Sequence, residues 1–527
     1  MKKIYLMLAL AAGVLTSCSL DKEPYGVLPD DDTFQTPDNF KSARVSLYTA
    51  LKACAGGDYY VAPELQCDMF NAVSGFSNTL ATMYRWEFTT DDGTFSGIYG
   101  NAQVTINRAN FIIDGYNKTD FSNENVWDPN PYASSGTDKT DLGLLVARKA
   151  KGEAFFTRAF ALFQLTQYFC QAYDPATADN KDTGVSYTLE YNPTVTADKY
   201  PARKTLNETY QQIYNDLDSA DLYVERGGTP RNAYISVDAI AALRARVALA
   251  KGDYELASSE ASLLVDAGTY TLCSSASELS GMYTWDGIPL GTADAPGANE
   301  AVLQLLSAST NELPGATGTR FLPYQDGSVP DYIPTKDFYD MFSDKDFRKG
   351  VYFNRMFIST TSGAGGYVYV FNKFPDHGYL YALTQGSESS RFAHEPVLFR
   401  IAEMYLIAAE ANAMLGNLED AEYYLSELQR NRYDSYTEPT FANKDQLITE
   451  IRNERTRELA CEGFHLFDLK RWHQGFRRGT PQQRDLCSIP GEKTTDMVVA
   501  ADAPRFTWPI PKHEIDVNKQ VKQNPGY

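Results

Sequence analysis

The sequence predicts a mainly α-helical protein, a scaffold of four helix pairs carrying a loop-rich half with short β-strands. Three observations predict it. Apolar residues recur at helical spacing through several long segments. Two stretches, Leu249-Ala-Lys-Gly-Asp-Tyr-Glu-Leu-Ala257 and Ala413-Met-Leu-Gly-Asn-Leu-Glu-Asp-Ala421, superpose without a gap. In each, a helix ends at Gly252 or Gly416, a polar residue follows, and the next helix opens towards a small Ala. That is a turn of tetratricopeptide (TPR) type: glycine takes the left-handed C-terminal conformation, and the small residue lets the pair close. Finally, stretches rich in Gly, Ser, Asn, Thr and aromatics separate the helices, and simple connections run only ~4–6 residues.

In chain order, residues 1–17 have the parts of a secretory leader. Lys2 and Lys3 precede the apolar run Ile4–Leu15, which is shorter than the ~20 residues a membrane-spanning helix needs. Leu15-Thr-Ser-Cys18 reads as a lipobox, in which Cys18 is acylated and becomes the mature N-terminus. Two or three acyl chains anchor a protein stably, whereas one holds it marginally. Residues 18–35 form the tether and 36–269 a first helical part. Residues 270–396 form a largely irregular insertion, and 397–527 a second helical part. The helix pairs are read as 100–118 with 148–170, 205–224 with 236–250, 253–267 with 397–415, and 418–432 with 445–473. Within 148–170, Ala154, Phe155, Arg158, Ala159 and Leu162 share a stripe; Thr205 or Asn207 caps the following helix. The stretches 54–99, 119–141, 171–204 and 270–396 read as irregular, with small strands at Ala301–Leu306 and Tyr367–Phe371. Ser362-Gly-Ala-Gly-Gly-Tyr367 reads as a flexible loop, since no Lys and helix follow it as in a phosphate cradle.

Composition excludes several function classes. The net charge of −20 argues against nucleic acid, whose affinity rests on clustered Lys and Arg. It also disfavours generic adhesion to anionic lipid head groups. After Cys18 six cysteines remain, with no CxxC or Cys/His metal spacing, so neither zinc nor a disulfide scaffold is indicated. The five His lack any HExxH-type spacing, and no GxSxG elbow, P-loop or dinucleotide fingerprint occurs. No catalytic residue, metal or cofactor is assigned.

Two C-terminal blocks carry a family resemblance. The first is Ile451-Arg-Asn-Glu-Arg-Thr-Arg-Glu-Leu-Ala-Cys-Glu-Gly-Phe-His-Leu-Phe-Asp-Leu-Lys-Arg-Trp472. The second runs from Trp508-Pro-Ile-Pro-Lys-His-Glu-Ile-Asp-Val-Asn518 to Gln523-Asn-Pro-Gly-Tyr527. Together they resemble the signature of the SusD/RagB family, nutrient-binding outer-membrane lipoproteins of gut and oral Bacteroidota. His465 stands where the family usually has Arg. The resemblance implies a SusD-like fold whose helical face docks on a SusC-like TonB-dependent outer-membrane transporter and whose irregular half carries the ligand site. It implies a lid that closes over an oligosaccharide or polysaccharide for uptake, with peptide binding of RagB-like type as the alternative and a glycan-degrading enzyme behind both. Ser19-Leu-Asp-Lys-Glu23 resembles the tag that sends such lipoproteins to the extracellular face of the outer membrane. The charged block at 452–471 is implied to be structural, locking the last helix and Trp508–Pro511 onto the core.

Sugar rings offer C–H faces that pack on aromatic side chains, while amides and charged groups bond the hydroxyls. Two clusters fit that chemistry. One is Tyr84, Trp86, Phe95, Tyr99 and Asn101, of which Tyr99 with Asn101 best matches the pre-helical ligand region of SusD-like proteins. The other is Tyr283, Trp285, Tyr324 and Tyr332. The competing role for each ring is to pack loops against the scaffold.

Overall fold

The computed structural model describes residues 33–76, 79–127, 143–193, 196–284, 297–307, 329–360, 363–375, 392–487 and 496–527. Helix α1, Pro37–Ala53, starts from a capping box in which Thr36 and Asn39 satisfy each other's backbone N–H. The stretch 54–99 holds more helix than its composition suggests: α2, Asp58–Gln66, a short helix Ala81–Arg85, and the first turns of α3, Gly93–Lys118. Pro63 inside α2 and Gly93, Gly97 and Gly100 in α3 read locally as breakers. The glycines instead face open space, and Asp92 caps α3 by accepting the Thr94 N–H. Helix α4, Gly143–Phe169, is buried almost all round and forms the axis of the helical half. Helices α1, α3 and α5 (Leu206–Tyr223) pack on it.

The two glycine turns form as their sequence requires. Helix α6, Val237–Lys251, ends at Gly252 with φ +78°, and α7, Tyr254–Asp266, follows. Helix α8, Ile401–Leu415, ends at Gly416 with φ +91°, and α9, Leu418–Arg430, follows. The partners differ in part from those expected. Helix α5 packs mainly on α4 rather than α6, α7 packs on both α6 and α8, and α9 packs on α8. The segment expected as one helix at 445–473 is two, α10 (Lys444–Glu458) and α11 (His465–Arg471). The break has Cys461 at φ +60° and Gly463 at φ +84°.

All described strand pairs are antiparallel. Strand β1, Phe70–Ala72, pairs with β3, Tyr332–Pro334; β2, Ala301–Gln304, pairs with β6, Val397–Arg400. Since β6 runs directly into α8, the β2–β6 pair seats the loop-rich half on the helical one. Strands β4, Phe353–Ser359, and β5, Gly365–Phe371, form a hairpin, so Gly365 and Gly366 open a strand rather than lie in a loop. The main apolar core lies among the helices, and a second, aromatic one (Phe70, Phe338, Phe353, Phe371) lies in the loop-rich half.

A buried ion network joins the halves. Glu458 on α10 meets Arg348 at 2.6 Å and Arg432 at 2.9 Å, and also pairs with Arg400. Arg348 reaches Glu454 at 2.6 Å, while Arg400 reaches Glu300 at 2.9 Å and Glu462 at 2.7 Å. Burial alone would raise the Glu458 pKa, but the three guanidiniums outweigh it and hold the carboxyl well below its ordinary value. The second C-terminal block closes the chain on the core. Trp508 is fully buried and donates its indole N–H to Gln66 at 2.7 Å, and the Tyr527 hydroxyl donates to the Thr507 carbonyl at 3.0 Å.

Candidate ligand-binding cleft

The structure gives most of the singled-out rings packing work. Tyr84 and Tyr332 are both fully buried, with ring centres 5.2 Å apart. The Arg478 guanidinium covers Tyr84 at 4.0 Å, and the Tyr332 hydroxyl donates to the Thr79 carbonyl at 2.5 Å. Phe95 is wedged between Phe88 and Trp508. Tyr283 lies against Phe374 and donates to Glu462 at 3.3 Å. Trp86 is half-buried against Phe476 and Phe506 and donates its N–H to the Gln66 carbonyl at 2.7 Å. The expectation that Tyr84, Phe95, Tyr283 and Tyr332 stack on ligand is therefore corrected: protein groups occupy their faces. Asn101 is exposed, its amide 3.4 Å from the Ala53 carbonyl. Cys18, Trp285 and Tyr324 lie outside the described residues.

Tyr99 is as buried as the packed rings, 2% exposed, but it also borders a cleft. Its ring packs edge-on against Phe169 at 5.1 Å, and the cleft measures 1280 Å³. One wall is a face of α3, with Tyr99, Gln103, Ile106 and Asn107 at the three- and four-residue spacing that aligns side chains. The opposite wall is a face of α5, with Asn207, Gln211, Gln212 and Asn215. Loop 186–193 and the segment Lys199–Pro201 lie between, and Glu514, Val517 and Asn518 from the C-terminal signature form the third wall.

Buried polar contacts hold these walls in place. Arg158 on α4 pairs with Asp216 at 2.6 Å and donates to Asn110 at 2.7 Å, and Asn110 donates to the Thr188 carbonyl at 3.0 Å. Gln103 donates to the Ser186 carbonyl at 2.9 Å. The third wall is tied by Asn518, which donates to the Pro201 carbonyl at 2.8 Å, and by Gln520, which donates to Tyr200. Arg203 holds the chain end by donating to Lys522 and Asn524. The signature thus shapes this cleft as well as closing the fold. The aromatic census of the sequence missed the α5 face; its signal was the amide run Asn207, Gln211, Gln212 and Asn215 at helical spacing.

The lining is suited to a polar, nearly neutral ligand. Glu190, Glu208 and Glu514 are balanced by Lys199, Lys204 and Lys251. Asn107 is exposed, and its amide makes no hydrogen bond among the described residues. Gln211 donates to Asn215 at 2.9 Å, which aligns two amides on the cleft face. Burial raises the Glu514 carboxyl above its ordinary pKa, which His513 opposes. The volume exceeds the ~300–1,000 Å³ of small-molecule pockets, as a site for an oligomeric ligand would. Among the described residues, no group of three His, Cys, Asp or Glu is placed to hold a metal ion, and no helix is long and apolar enough to cross a membrane.

Comparisons with known proteins place this architecture. Residues 360–527 match the SusD family, and residues 20–249 match a family described as starch-binding, associating with the outer membrane. The chain is thus similar to the SusD family over its C-terminal third and to this second family over its N-terminal part. No curated protein sequence matches it. Among solved structures, a SusD superfamily protein from Bacteroides thetaiotaomicron is similar, with TM-score 0.71 and 21% identity over 92% of this chain and 99% of that one. A putative sugar binding protein from Bacteroides vulgatus gives TM-score 0.70 and 23% identity, covering 94% and 99%. Surface glycan-binding protein A from Bacteroides fluxus gives 0.63 and 17%, covering 92% and 99%. At these identities the likeness is one of fold.

Proposed function

We propose that the protein is a cell-surface lipoprotein that captures an oligomeric, largely uncharged glycan and acts as the lid of a SusC-like TonB-dependent importer. The observation that carries the reading is the 1280 Å³ cleft, lined by amides and by equal numbers of acidic and basic side chains, in a chain whose C-terminal third is similar to the SusD family. Two structural relatives named for sugar or glycan binding support it. Amides suit this task because each offers a donor and an acceptor to a hydroxyl without the desolvation cost of a charge. Tyr99 contributes from the cleft wall. Asn101, Trp86, Trp285 and Tyr324 are carried into the reading as further ligand contacts.

In this reading the protein performs no chemistry on the glycan. Acylated Cys18 holds it at the outer face of the outer membrane. Ligand drives lid closure by making more contacts in the closed arrangement than in the open one. Calorimetry of residues 19–527 against neutral oligosaccharides, with a peptide digest alongside, tests the ligand class. Asn107→Ala and Gln211→Ala are each expected to weaken glycan binding by about 1 kcal/mol, the net worth of one hydrogen bond. Unchanged affinity in both variants would move the site elsewhere, and binding of peptide alone would overturn the glycan assignment. For placement, Cys18→Ala is expected to release the protein from the outer-membrane fraction; retention there would refute the lipid anchor.

A further inference from the structure

The β4–β5 hairpin has two unlike faces. One carries Ile358, Val368 and Val370, buried against Val73, Ile333 and Leu486, and this is the face that holds the hairpin on the fold. The other runs outward from buried Phe353 and Phe371 through Tyr369 to Arg355, Tyr367 and Phe357. Phe357 is 50% and Tyr367 55% exposed, opposite each other in register with ring centres 5.3 Å apart. Tyr369 stacks on Tyr339 at 4.0 Å and 17°, continuing the ring surface inward. A Cβ at Gly365 would come within 3.1 Å of the Phe357 ring, so the glycine leaves that ring its place. Since the inner face already supplies the packing, the exposed rings are not needed to hold the hairpin, and a contiguous exposed aromatic surface marks an interaction site.

Charge identifies the occupant. Arg355 is the one charged residue between Phe353 and Phe371 in a chain of net charge −20. Its guanidinium lies over the Tyr367 ring at 4.2 Å and makes no ion pair or hydrogen bond among the described residues. Its fork of five donors is thus held beside stacking rings and left available to a carboxylate. At physiological salt the screening length is ~8 Å, and the acidic groups acting on the inner end of the stripe, Asp340 and Asp344 beside Tyr339, are paired with Lys336 and Lys349.

We propose that this stripe is a second glycan site, separate from the cleft, that takes an acidic polysaccharide: sugar faces lie on Tyr367 and Phe357, and a uronate carboxylate pairs with Arg355. The proposal rests on the glycan-binding reading above, but the two fail separately. The test is affinity electrophoresis of residues 19–527 through gels containing polygalacturonate or a neutral β-glucan, with a Phe357→Ala/Tyr367→Ala double variant and with Arg355→Gln. Polygalacturonate is expected to retard the unaltered protein. The double variant should weaken that binding about tenfold or more, as lost stacking does elsewhere, and Arg355→Gln about threefold or more, with an effect that fades at high salt. Neutral-glucan binding should be unchanged in both variants. All three side chains are exposed or surface-held, so thermal unfolding should confirm intact folding. No retardation by polygalacturonate, or equal retardation of all three proteins, overturns the stripe. Variants that change only self-association in sedimentation overturn it too, assigning the face to contacts between copies. Failure of neutral-glucan binding in the unaltered protein would instead count against the cleft.

Discussion

Glu458 shows how much one side chain can hold. It is fully buried, and its two oxygens face Arg348, Arg400 and Arg432, which arrive from three separate parts of the chain. Replacing it with the isosteric Gln keeps the volume but leaves buried guanidiniums short of a counter-charge. Removing one partner of a buried pair costs ~3–5 kcal/mol. Glu458→Gln is therefore expected to lower stability by about that much, read as a shift in the denaturant midpoint. An unchanged midpoint would mean that Glu300, Glu454 and Glu462 compensate fully. The Arg/Glu alternation at 452–462 was visible in the sequence, and its structural role was legible there. Its partners were not, because Glu300 and Arg348 lie more than a hundred positions away in segments without periodicity. His465 was visible as a departure from the family pattern, and its imidazole meets Asp68 at 2.7 Å. The rings were misread for a related cause. Exposure is a property of the fold, so 35 Tyr in a sequence do not say which few face solvent.

At the scale of elements, legibility followed sequence distance. The Gly252 and Gly416 turns were readable because the helix, its left-handed cap and the next helix all lie within nine residues. The break between α10 and α11 was not, because its cause is remote: the Glu64 carboxylate accepts the N–H groups of Gly463 and Phe464, both at 2.9 Å, from 399 and 400 positions away. Apolar spacing continues across the break and reads as one helix. The two kinds of glycine predict different costs. A Cβ at Gly416 meets nothing within 4 Å, so Gly416→Ala pays only for its φ of +91°, ~1–2 kcal/mol. At Gly463 the Cβ would also lie 2.8 Å from the Tyr59 carbonyl oxygen, which backbone movement must relieve. Gly463→Ala is thus expected to be the more destabilising of the two in chemical unfolding. The reverse order would show that the turn after α8 is the tighter one.

Across the whole molecule, the titrating groups divide into sets that set its pH profile. Arg348 and Arg457 hold Glu454 at a pKa of about 2 against the opposing effect of burial, and Glu458 is held well below its ordinary value. Such groups contribute stability that is fully present above ~4.5 and lost as pH falls towards the folded-state value. Glu64 and Glu395 behave oppositely. Burial raises each to about 7, although backbone N–H groups oppose it at both. Between ~4.5 and 7 the unfolded chain gains by ionising while the fold retains the protons, so stability declines over that window and stays lower above it. His465, raised by Asp68 against the effect of burial, adds stability below ~6.5 that is lost as pH rises through its folded-state value. The combined contribution of these five groups is greatest near pH 5 rather than at neutrality. Glu395→Gln isolates one contribution. The carboxylate accepts the Ser307 N–H through one oxygen, which the amide oxygen can replace, and its other oxygen has no hydrogen-bond partner among the described residues. The variant should match the parent near pH 4.5 and exceed it at pH 8 by on the order of 1–3 kcal/mol, seen as a higher Tm that diverges with pH. Parallel Tm curves across that range would mean that Glu395 takes no part in the decline.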